Sequence, residues 1–418
     1  MPDAAAGVRD FDVVVVGAGM VGSLFGLLLL NDARAAGLRL AIVDGERSTL
    51  PAPDAPFDLR VSALSRASED LLARAGCGDA LAAQRHCLFT DMRVWEADGT
   101  GAVHFRAGEV GETHLGMLVE NRIVQAVLAD ALFAHPQVAA FCPVRVQHIA
   151  RLAAAGAAAR SPAAPGWQLT LSDGSTLRTS LLIGADGAAS RVRDAAGIGS
   201  ATWDYRQKGL VCTVATVAQH RHTAWQRFLP EGPLAFLPLA DLHQCSIVWT
   251  LPSDRADAML ALPEDAFRRA LGQAFEHRLG DITTVGPRGA FPLQARHAEH
   301  YEQDGLALIG DAAHSIHPLA GQGVNLGMLD AALLADELLT QRAAGLPLHH
   351  GRALRRYSRG RRGHNAALMH GMTGFERLFA ADAPALRLLR NTGMSLFDRG
   401  GLLKHWVMRV AVLGRGGL

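Results

Sequence analysis

A chain of 418 residues with 49% hydrophobic and 19% charged side chains is a typical soluble globular mix, and its length suits two or three packed units rather than one small core. Its 41 basic and 40 acidic side chains nearly cancel, so no overall field would gather nucleic acid, and a nucleic-acid partner is not expected. The five cysteines show neither CxxC spacing nor the density of a secreted disulfide scaffold, which favours a reducing cytoplasm.

Residues 11–30 form a mostly apolar run of membrane-spanning length. Four glycines interrupt the run, and it lacks the charged flank and cleavage site of a signal peptide, so both membrane interpretations fit poorly. A buried strand at 13–16, a glycine-rich turn, a helix at 23–34 and a second strand at 38–43 explain it better. The pattern predicts a parallel βαβ unit.

The middle of the chain predicts more strands. They are expected at 167–171 and 181–183, after a stretch at 153–165 whose Ala, Gly, Ser and Pro residues are typical of a connector or hairpin loop. From 205 to 251, clustered β-formers predict a separate, mostly antiparallel sheet. Its strands are expected at 210–217, 234–239 and 246–251.

The chain then returns to the alternation of its first part. A strand is expected at 306–309 and a long helix at about 327–343, followed by a basic helical tail. Lys404, Arg409 and Arg415 stand among apolar residues of that tail. This pattern fits an amphipathic helix lying on a membrane surface and a helix packed on the protein equally well.

Gly17, Gly19 and Gly22 match GxGxxG directly after the first strand and before the first helix. Such glycines let the backbone turn tightly and approach a pyrophosphate, while the helix N-terminus offers N–H groups and a positive dipole end. Asp44 ends the second strand, where a carboxylate can hydrogen-bond a ribose hydroxyl. A glycine-rich turn alone also arises from packing, but the two strands, the helix and the acid together predict dinucleotide binding.

Two distant turns indicate which dinucleotide binds. Segments 181–193 and 306–327 each read as a strand ending in a turn, with Asp186-Gly187 in one and Gly310-Asp311 in the other. A Rossmann domain for a nicotinamide cofactor alone has no use for such turns, whereas a cofactor with a ribitol chain and a flavin ring does. With these motifs in this order, the chain resembles the group A flavoprotein monooxygenases related to para-hydroxybenzoate hydroxylase.

Four shorter stretches resemble the ubiquinone-biosynthesis hydroxylases within that family. They are FDLRVSAL, LVENR, GPLAFLPL and HSIHPLAGQGVN, at residues 57–64, 118–122, 232–239 and 314–325. The resemblance covers roughly residues 11 to 365 and leaves the tail less constrained.

The resemblance implies an α/β fold with three parts: a Rossmann-like FAD-binding domain, an inserted, mostly antiparallel β-sheet substrate domain, and a C-terminal helical region. The expected FAD-binding domain is discontinuous and takes residues 1–195 and 286–345. Residues 196–285 are expected to form the substrate domain and residues 346–418 the helical region.

The implied cofactor is FAD, with NADH or NADPH as a transient reductant that docks without a domain of its own. Asp311 is expected at the flavin ribitol, Asp186 and Gly187 near the pyrophosphate and the nicotinamide path, and Arg60 and Arg122 at the FAD phosphates or ribose. The full expected cofactor-binding set is Gly17, Gly19, Gly22, Asp44, Arg60, Arg122, Asp186, Gly187, Gly310, Asp311, Pro318, Gly321, Gly323, Val324 and Asn325.

The loop at 318–325 opens a helix, and its glycines expose backbone N–H groups. Such donors can stabilise the negative charge on the pyrimidine ring of a reduced flavin, as an oxyanion hole does. Catalytic roles are therefore expected at His317, Pro318 and Gly323. No metal is expected, because no carboxylate cluster near His314 and His317 completes a metal site.

Large aromatic residues of the inserted sheet raise two alternatives. Tyr205, Phe236, Pro238 and Trp249 are the expected lining of an aromatic substrate pocket. Aromatic side chains in a sheet belong more often to the core, so core packing is the competing interpretation for each of them.

The implied reaction is hydroxylation of the ring of a polyprenylated phenol or benzoquinol in ubiquinone biosynthesis, with NAD(P)H and O2, through a C4a-hydroperoxyflavin. The alternatives are a hydroxylase of a soluble aromatic or secondary metabolite, and a non-catalytic FAD-binding scaffold of a biosynthetic complex. The expected location is the cytoplasm or the inner face of the membrane as a peripheral protein. Association with a ubiquinone-biosynthesis complex and homo-oligomerisation are left open.

Overall fold

A computed structural model of the chain describes residues 7–97, 101–152, 166–315, 323–380, 397–398 and 400–414. The strands are β1 Val8–Val16, β2 Leu40–Val43, β3 Val61–Ser65, β4 Cys87–Phe89, β5 Asp91–Glu96, β6 Ala102–Arg106, β7 Gly116–Glu120, β8 Val138–Phe141, β9 Val146–Leu152, β10 Gly166–Leu171, β11 Thr176–Gly184, β12 Ser200–Thr216, β13 Thr223–Leu229, β14 Gly232–Pro238, β15 Gln244–Pro252, β16 Ile282–Ala298, β17 Glu302–Gln303, β18 Leu306–Leu308 and β19 His314–Ser315. The helices are α1 Met20–Leu30, α2 Arg66–Arg74, α3 Gly78–Ala82, α4 Asn121–Phe133, α5 Arg191–Ala195, α6 Ser253–Ala261, α7 Glu264–Ala274, α8 Gly323–Ala343, α9 Gly351–Ala380 and α10 Gly401–Val407. In this part of the chain no helix is both long and apolar enough to cross a bilayer.

The first sheet is the predicted parallel one. Its central order is β18-β11-β1-β2-β8, all parallel, with β17 antiparallel at one edge and β9 and β10 attached beside β11. The continuous valine run of β1 is buried, and α1 packs on β1 and against α4 and α8. The apolar N-terminal run is therefore a buried strand and a buried helix.

The expected boundaries shift by a few residues. The first helix ends at Leu30 instead of residue 34, because Asp32 accepts a hydrogen bond from the backbone N–H of Arg34 and starts a short 3-10 turn. The helix expected from residue 327 begins at Gly323. Residues 153–165 lie outside the described part, but the flanking strands β9 and β10 pair antiparallel, as a hairpin connection requires.

The second sheet has the order β19-β16-β12-β15-β14-β13-β5-β6 and is antiparallel except for the parallel pair β13 and β5. The mostly antiparallel second sheet is thus confirmed. It also includes β5 and β6, which the sequence analysis grouped with the first domain. The pairing of β5 with β13 joins segments more than a hundred residues apart, and a local pattern cannot reveal such a contact. The division into domains stays a prediction.

Helices cover one face of this sheet, and a smaller apolar cluster lies at one end of the other face. Helices α6 and α7 bury one face, against a cluster that includes Phe236, Trp249 and Phe275. At the far end of the opposite face, Met408 and Leu413 of the C-terminal segment pack beside Leu237. Met408 and Leu413 of the tail are therefore packed on the protein, while Trp406 and Arg409 are exposed, so both alternatives for the tail stay open. Arg415 lies outside the described residues.

One of the three basic residues of the tail, Lys404, is buried, whereas Arg409 is exposed. The ammonium group of Lys404 donates to the backbone oxygen of His104 at 2.6 Å and pairs with Glu109 at 2.9 Å and Asp398 at 3.0 Å. A lysine held by two carboxylates inside the fold has no charge to offer a lipid surface.

A buried carboxylate holds the end of the first sheet against the two long helices. Asp330, in the middle of α8, is fully buried. One of its oxygens accepts hydrogen bonds from the backbone N–H of Gly310 at 3.1 Å and from His314 Nε2 at 2.5 Å. The other accepts from Arg361 Nε at 2.6 Å and from the Asn365 amide at 3.2 Å, both on α9.

The charge at this carboxylate is maintained by its partners. Burial by itself raises the pKa of Asp330, but the charges and hydrogen bonds of His314 and Arg361 outweigh burial and lower the pKa to about 2. Arg361 is also buried and donates to Leu326 O at 3.2 Å and Asn365 at 2.9 Å. The cluster therefore joins β18, α8 and α9 through one negative charge.

Replacing the charge tests this arrangement. Asp330→Asn leaves Arg361 buried without its counter-ion, and we expect it to cost about 3–5 kcal/mol of unfolding free energy. The control is Asp336→Asn on the same helix, whose exposed pair with Arg74 is worth about 1 kcal/mol or less. Urea-unfolding midpoints measure both variants, and equal midpoints would contradict the role given to Asp330.

Candidate functional site

The GxGxxG turn packs so closely that only glycine fits at two of its positions. Gly17 has φ +106°, and a Cβ there would lie 2.3 Å from the backbone oxygen of Ala185. A Cβ at Gly22 would lie 2.0 Å from the oxygen of Gly17. A Cβ at Gly19 would meet nothing within 4 Å. The first and last glycines are thus needed by the protein's own packing, and the middle one borders open space at the start of α1.

Asp44 closes one side of this turn. Its carboxylate accepts from the backbone N–H of Ala18 at 2.6 Å and from that of Glu46 at 2.9 Å. The neighbouring strands β1 and β2 bring it there, because their carboxyl ends meet at the same edge of the sheet. The carboxylate is fixed beside the turn, where a ribose hydroxyl would be bound.

The Asp186-Gly187 turn follows β11, the neighbour of β1 on its other side. Asp186 accepts from the Ser190 hydroxyl at 2.5 Å and from the backbone N–H of Val192 at 3.1 Å, and burial raises the pKa of its carboxyl. Gly187 has φ +79° and open space around its Cα. Asp186 therefore shapes the turn, and Gly187 presents bare backbone at its tip.

The Gly310-Asp311 turn reaches the first turn from the far side. Gly310 has φ +59°, and a Cβ there would lie 3.2 Å from the side chain of Val21 in the first turn of α1. Asp311 is reached by solvent, yet burial raises the pKa of its carboxyl, with opposing effects from the charges of His314 and Arg60. A carboxyl group that is both accessible and desolvated lies in the wall of a cleft.

The two predicted arginines differ in how they are held. Arg60 stacks its guanidinium over the ring of Phe291 at 5.2 Å, and its charge acts on Asp311. Arg122 donates to Glu120 at 2.7 and 3.0 Å. Arg60 is thus aimed at the cleft, and Arg122 belongs first to an ion pair.

That ion pair includes a second arginine. Arg85 donates to both oxygens of the buried Glu120 at 2.6 and 3.0 Å and stacks over Phe57 at 4.3 Å. Burial by itself raises the pKa of the Glu120 carboxyl. Hydrogen bonds from the side chains of Arg85 and Arg122 and from the backbone N–H of Asp58 outweigh burial and lower that pKa. The cluster fixes the segment that carries Arg60 against β7.

The start of α8 is tied to the first lobe by one amide. Asn325 is buried, and its oxygen accepts from the Ser65 backbone N–H at 3.0 Å and the Ser68 hydroxyl at 2.7 Å, while its nitrogen donates to Ala63 O at 2.9 Å. Gly323 opens the helix with empty space at its Cβ position, and Val324 is half-buried. His317, Pro318 and Gly321 lie outside the described residues.

The three turns lie side by side, because β1, β11 and β18 are parallel neighbours whose carboxyl ends meet at one edge of the sheet. Gly19, Gly187 and Gly323 each leave room where a side chain would stand, and they belong to the three segments that the sequence analysis singled out. Gly17 contacts the chain at Ala185, and Val21 contacts Gly310 and Gly327, so the segments are in direct contact. Open backbone at helix N-termini suits a pyrophosphate, and Asp44 and Asp311 suit the hydroxyls of a ribose and a ribitol.

The aromatic residues proposed for a substrate pocket lie in different places. Phe236 is fully buried and stacks on Phe275 at 3.6 Å, and Trp249 packs in the same helix-covered cluster, so core packing describes both. Pro238 follows two residues after Phe236 on β14 and shares its face. Tyr205 alone is half-buried beside Leu326, in the first turn of α8.

The sequence analysis missed the group that positions the Gly310-Asp311 turn. His314, for which a metal role was weighed against packing or contact with the flavin, is hydrogen-bonded to Asp330, and Arg361 completes the cluster. A signal was present, since a lone aspartate inside the apolar stretch of α8 needs a buried partner. In the described part of the chain, no three His, Cys, Asp or Glu side chains are grouped as a metal site.

Comparison with known proteins agrees with this cleft. The FAD binding domain family matches residues 10–370. The chain is 36% identical to the 3-demethoxyubiquinol 3-hydroxylase of Escherichia coli K12 over 96% of this chain and 98% of that protein. It is 35% identical to the ubiquinone hydroxylase UbiL of Rhodospirillum rubrum, covering 96% and 89%. It is 32% identical to the human ubiquinone biosynthesis monooxygenase COQ6, mitochondrial, covering 96% and 92%.

Solved structures share the architecture at lower identity. Pseudomonas aeruginosa PqsL in complex with 2-aminobenzoylacetate superposes with a TM-score of 0.73 at 20% identity, covering 93% of this chain and 100% of that one. The p-nitrophenol 4-monooxygenase PnpA of Pseudomonas putida DLL-E4 gives 0.72 at 22% identity, covering 97% and 98%. These likenesses confirm the fold class. The chain belongs to the FAD binding domain family and is an FAD-dependent monooxygenase.

Proposed function

We propose that this chain hydroxylates the ring of a polyprenylated phenol or benzoquinol in ubiquinone biosynthesis. One atom of O2 enters the ring as a hydroxyl, the other leaves as water, and NADH or NADPH supplies the two electrons. The observation that carries the proposal is that three turns meet at one edge of the first sheet, with Leu59 beside Gly289 of the second sheet. The named relatives in this reaction class support the substrate.

Bound FAD would supply the redox chemistry and the activation of oxygen. The protein holds the cofactor with the backbone at Gly19 and Gly187 and with the carboxyl groups of Asp44 and Asp311. The helix N-terminus at Gly323 would offer N–H groups to negative charge on the pyrimidine side of the ring. Asn325 keeps that N-terminus in place by bonding to β3 and α2.

The substrate would lie on the face of the second sheet that α6 and α7 leave open. Gly289, Val211, Val248 and Ala235 are register partners across four neighbouring strands, so they share this face. A Cβ at Gly289 would lie 3.0 Å from the side chain of Leu59, which brings the row against the cofactor lobe. These small, apolar side chains leave room for a flat ring and exclude water from it.

This face is opposite to the one that carries Phe236 and Trp249, the residues that the sequence analysis placed in the substrate pocket. Ala235 and Val248 are half-buried, whereas their neighbours Phe236 and Trp249 point into the helix-covered core. At the far end of the same face, Met408 and Leu413 pack beside Leu237. An apolar face of this kind favours a lipophilic aromatic substrate over a charged aromatic acid.

A polyprenyl substrate dissolves in lipid, so the enzyme would meet it as a peripheral protein at the inner face of a membrane. Association with a ubiquinone-biosynthesis complex and homo-oligomerisation stay predictions. The alternatives, a hydroxylase of a soluble aromatic and a non-catalytic FAD-binding scaffold, are distinguished by substrate-dependent turnover.

Cofactor binding is tested at Gly19. Gly19→Ala adds a methyl group that meets nothing in the protein but occupies the space assigned to the pyrophosphate, so we expect FAD affinity to fall at least about tenfold, or about 1.4 kcal/mol. Gly108→Ala is the control, because its Cβ also meets nothing and lies away from the cleft. FAD titration followed by flavin fluorescence measures both. Equal affinities would show that the cofactor does not pass Gly19.

Turnover is tested with the FAD-loaded protein and a short-chain prenylated phenol or quinol. We expect the substrate to stimulate NAD(P)H oxidation and the product to carry one added oxygen atom, labelled when 18O2 is used. Protein that binds FAD but neither oxidises NAD(P)H faster nor hydroxylates any such compound would favour the scaffold. Hydroxylation of soluble aromatics alone would favour the other alternative.

The substrate face is tested by filling it. Ala235→Phe places a ring in the row of small side chains, and we expect kcat/KM for the prenylated substrate to fall at least about tenfold while FAD affinity is unchanged. Ala240→Phe, exposed just beyond β14, is the matched control. Steady-state kinetics measures kcat/KM for both variants. An unchanged kcat/KM in Ala235→Phe would show that the substrate does not bind on this face.

A further inference from the structure

A second cavity, of about 510 Å³, lies outside the cleft assigned to FAD. It is bounded by the first residues of β12, the last residues of β16 and the middle of α9, with Trp203, His297, Glu299, Arg359, Arg362 and Met369 among its lining. No role has been given to these residues above. The cavity has room for a molecule larger than a simple ion.

The cavity adjoins two elements of the cofactor site. Met369 packs in one cluster with Ala295 and with Leu326, which is in the first turn of α8. Arg296, next to the cavity residue His297 on β16, donates to the backbone oxygen of Ala188, directly after the Asp186-Gly187 turn. A ligand in the cavity would therefore lie one layer of side chains away from the cofactor cleft.

Two arginines of the cavity wall can bind an anion. Arg359 and Arg362 are three residues apart on α9, so they lie on one face of the helix, and both are exposed. Elsewhere on α9, Arg356 pairs with Glu337 and Arg361 with Asp330. For Arg359 and Arg362 no carboxylate of the described chain lies within ion-pair distance. Two guanidinium groups in this state suit the oxygens of phosphate groups.

Two other lining residues narrow the ligand class. Trp203 is 44% exposed, an unusual exposure for an indole, and it offers a flat face on which a base can stack. Glu299 is exposed directly after the end of β16 and offers the carboxylate that a ribose hydroxyl pair requires, as Asp44 does beside the first turn. A phosphate, a base and a ribose together define a nucleotide, whereas a lipid headgroup uses only the phosphate contact.

We infer that this cavity docks the adenosine half of the NAD(P)H reductant, with its phosphates at Arg359 and Arg362, the adenine on Trp203 and a ribose at Glu299, while the nicotinamide half extends out of the cavity to reach the flavin ring in direct contact. The inference deepens the proposed function and rests on it for the identity of the nucleotide. The sequence contains one GxGxxG turn, and FAD takes it, so a second dinucleotide must bind elsewhere.

Binding is measured on the oxidised, FAD-loaded protein, so that no turnover is needed. Isothermal titration with NADP⁺ and with NAD⁺ compares the wild type, the double variant Arg359→Gln/Arg362→Gln and the matched double variant Arg352→Gln/Arg355→Gln, which removes the same charge from α9 outside the cavity. We expect at least about a tenfold loss of dinucleotide affinity in the first variant and less than about twofold in the second. Trp203→Leu should also weaken binding, and FAD affinity should stay unchanged throughout.

A second arm identifies the source of the phosphate. Sedimentation with vesicles of phosphatidylcholine and phosphatidylglycerol in equal parts is compared for the same variants. Loss of vesicle binding with unchanged dinucleotide affinity in the Arg359/Arg362 variant overturns the inference, as does equal affinity in both double variants. If hydroxylation fails but dinucleotide binding still depends on Arg359 and Arg362, the docking site stands and the proposed function fails.

Discussion

The buried carboxylate of Asp330 is the interaction on which the geometry of the cofactor cleft depends. It receives the backbone N–H of Gly310, the ring of His314 and the guanidinium of Arg361, which come from three separate stretches of chain. Removing a charge from water is costly, and only a full set of partners compensates for that cost. Because the set is complete only when β18, α8 and α9 are in register, the carboxylate selects one arrangement of these elements. The positions of Gly310 and Asp311 therefore depend on the Asp330 carboxylate.

The same logic explains why the cleft is shaped by short polar contacts rather than by a further apolar core. Asp44 holds Ala18, Asp186 holds Val192, and Asn325 holds Ser65, each through a side-chain oxygen that accepts a backbone N–H. Hydrogen bonds of this kind fix the orientation of the backbone N–H groups in a turn, because their geometry is directional, whereas apolar packing is not directional. A cofactor bound through backbone groups requires those groups to have a fixed orientation. The glycines then remove the side chains that would fill the space between these fixed turns.

The features of this structure that could be predicted from sequence are those that depend on residues close together in the chain. The strands that end at the GxGxxG turn, at Asp44 and at the two distant turns lie where the sequence placed them, because each combines a strand end with glycine or an acid at close spacing, whereas the cofactor roles of these residues stay predictions. The features that could not be predicted depend on contacts between residues far apart in the chain. Phe236 and Ala235 are adjacent in the chain but face opposite sides of the sheet, and only the position of α6 and α7 decides which side is core. The pairing of β5 with β13 and the partnership of Asp330 with Arg361 are hidden for the same reason.

The two proposed nucleotide sites differ in a way that follows from how long each ligand must stay. FAD would be held by backbone groups and enclosed carboxylates between packed elements, and its release would require those elements to separate. The reductant must arrive and leave in every turnover, so a tight, enclosed site would make product release slow. Exposed guanidinium groups on one face of a helix attract a phosphate quickly and let it go quickly, because water competes for them. A second GxGxxG domain would hold the reductant more tightly than the reaction can use, which is a physical reason for an open cavity on α9 instead.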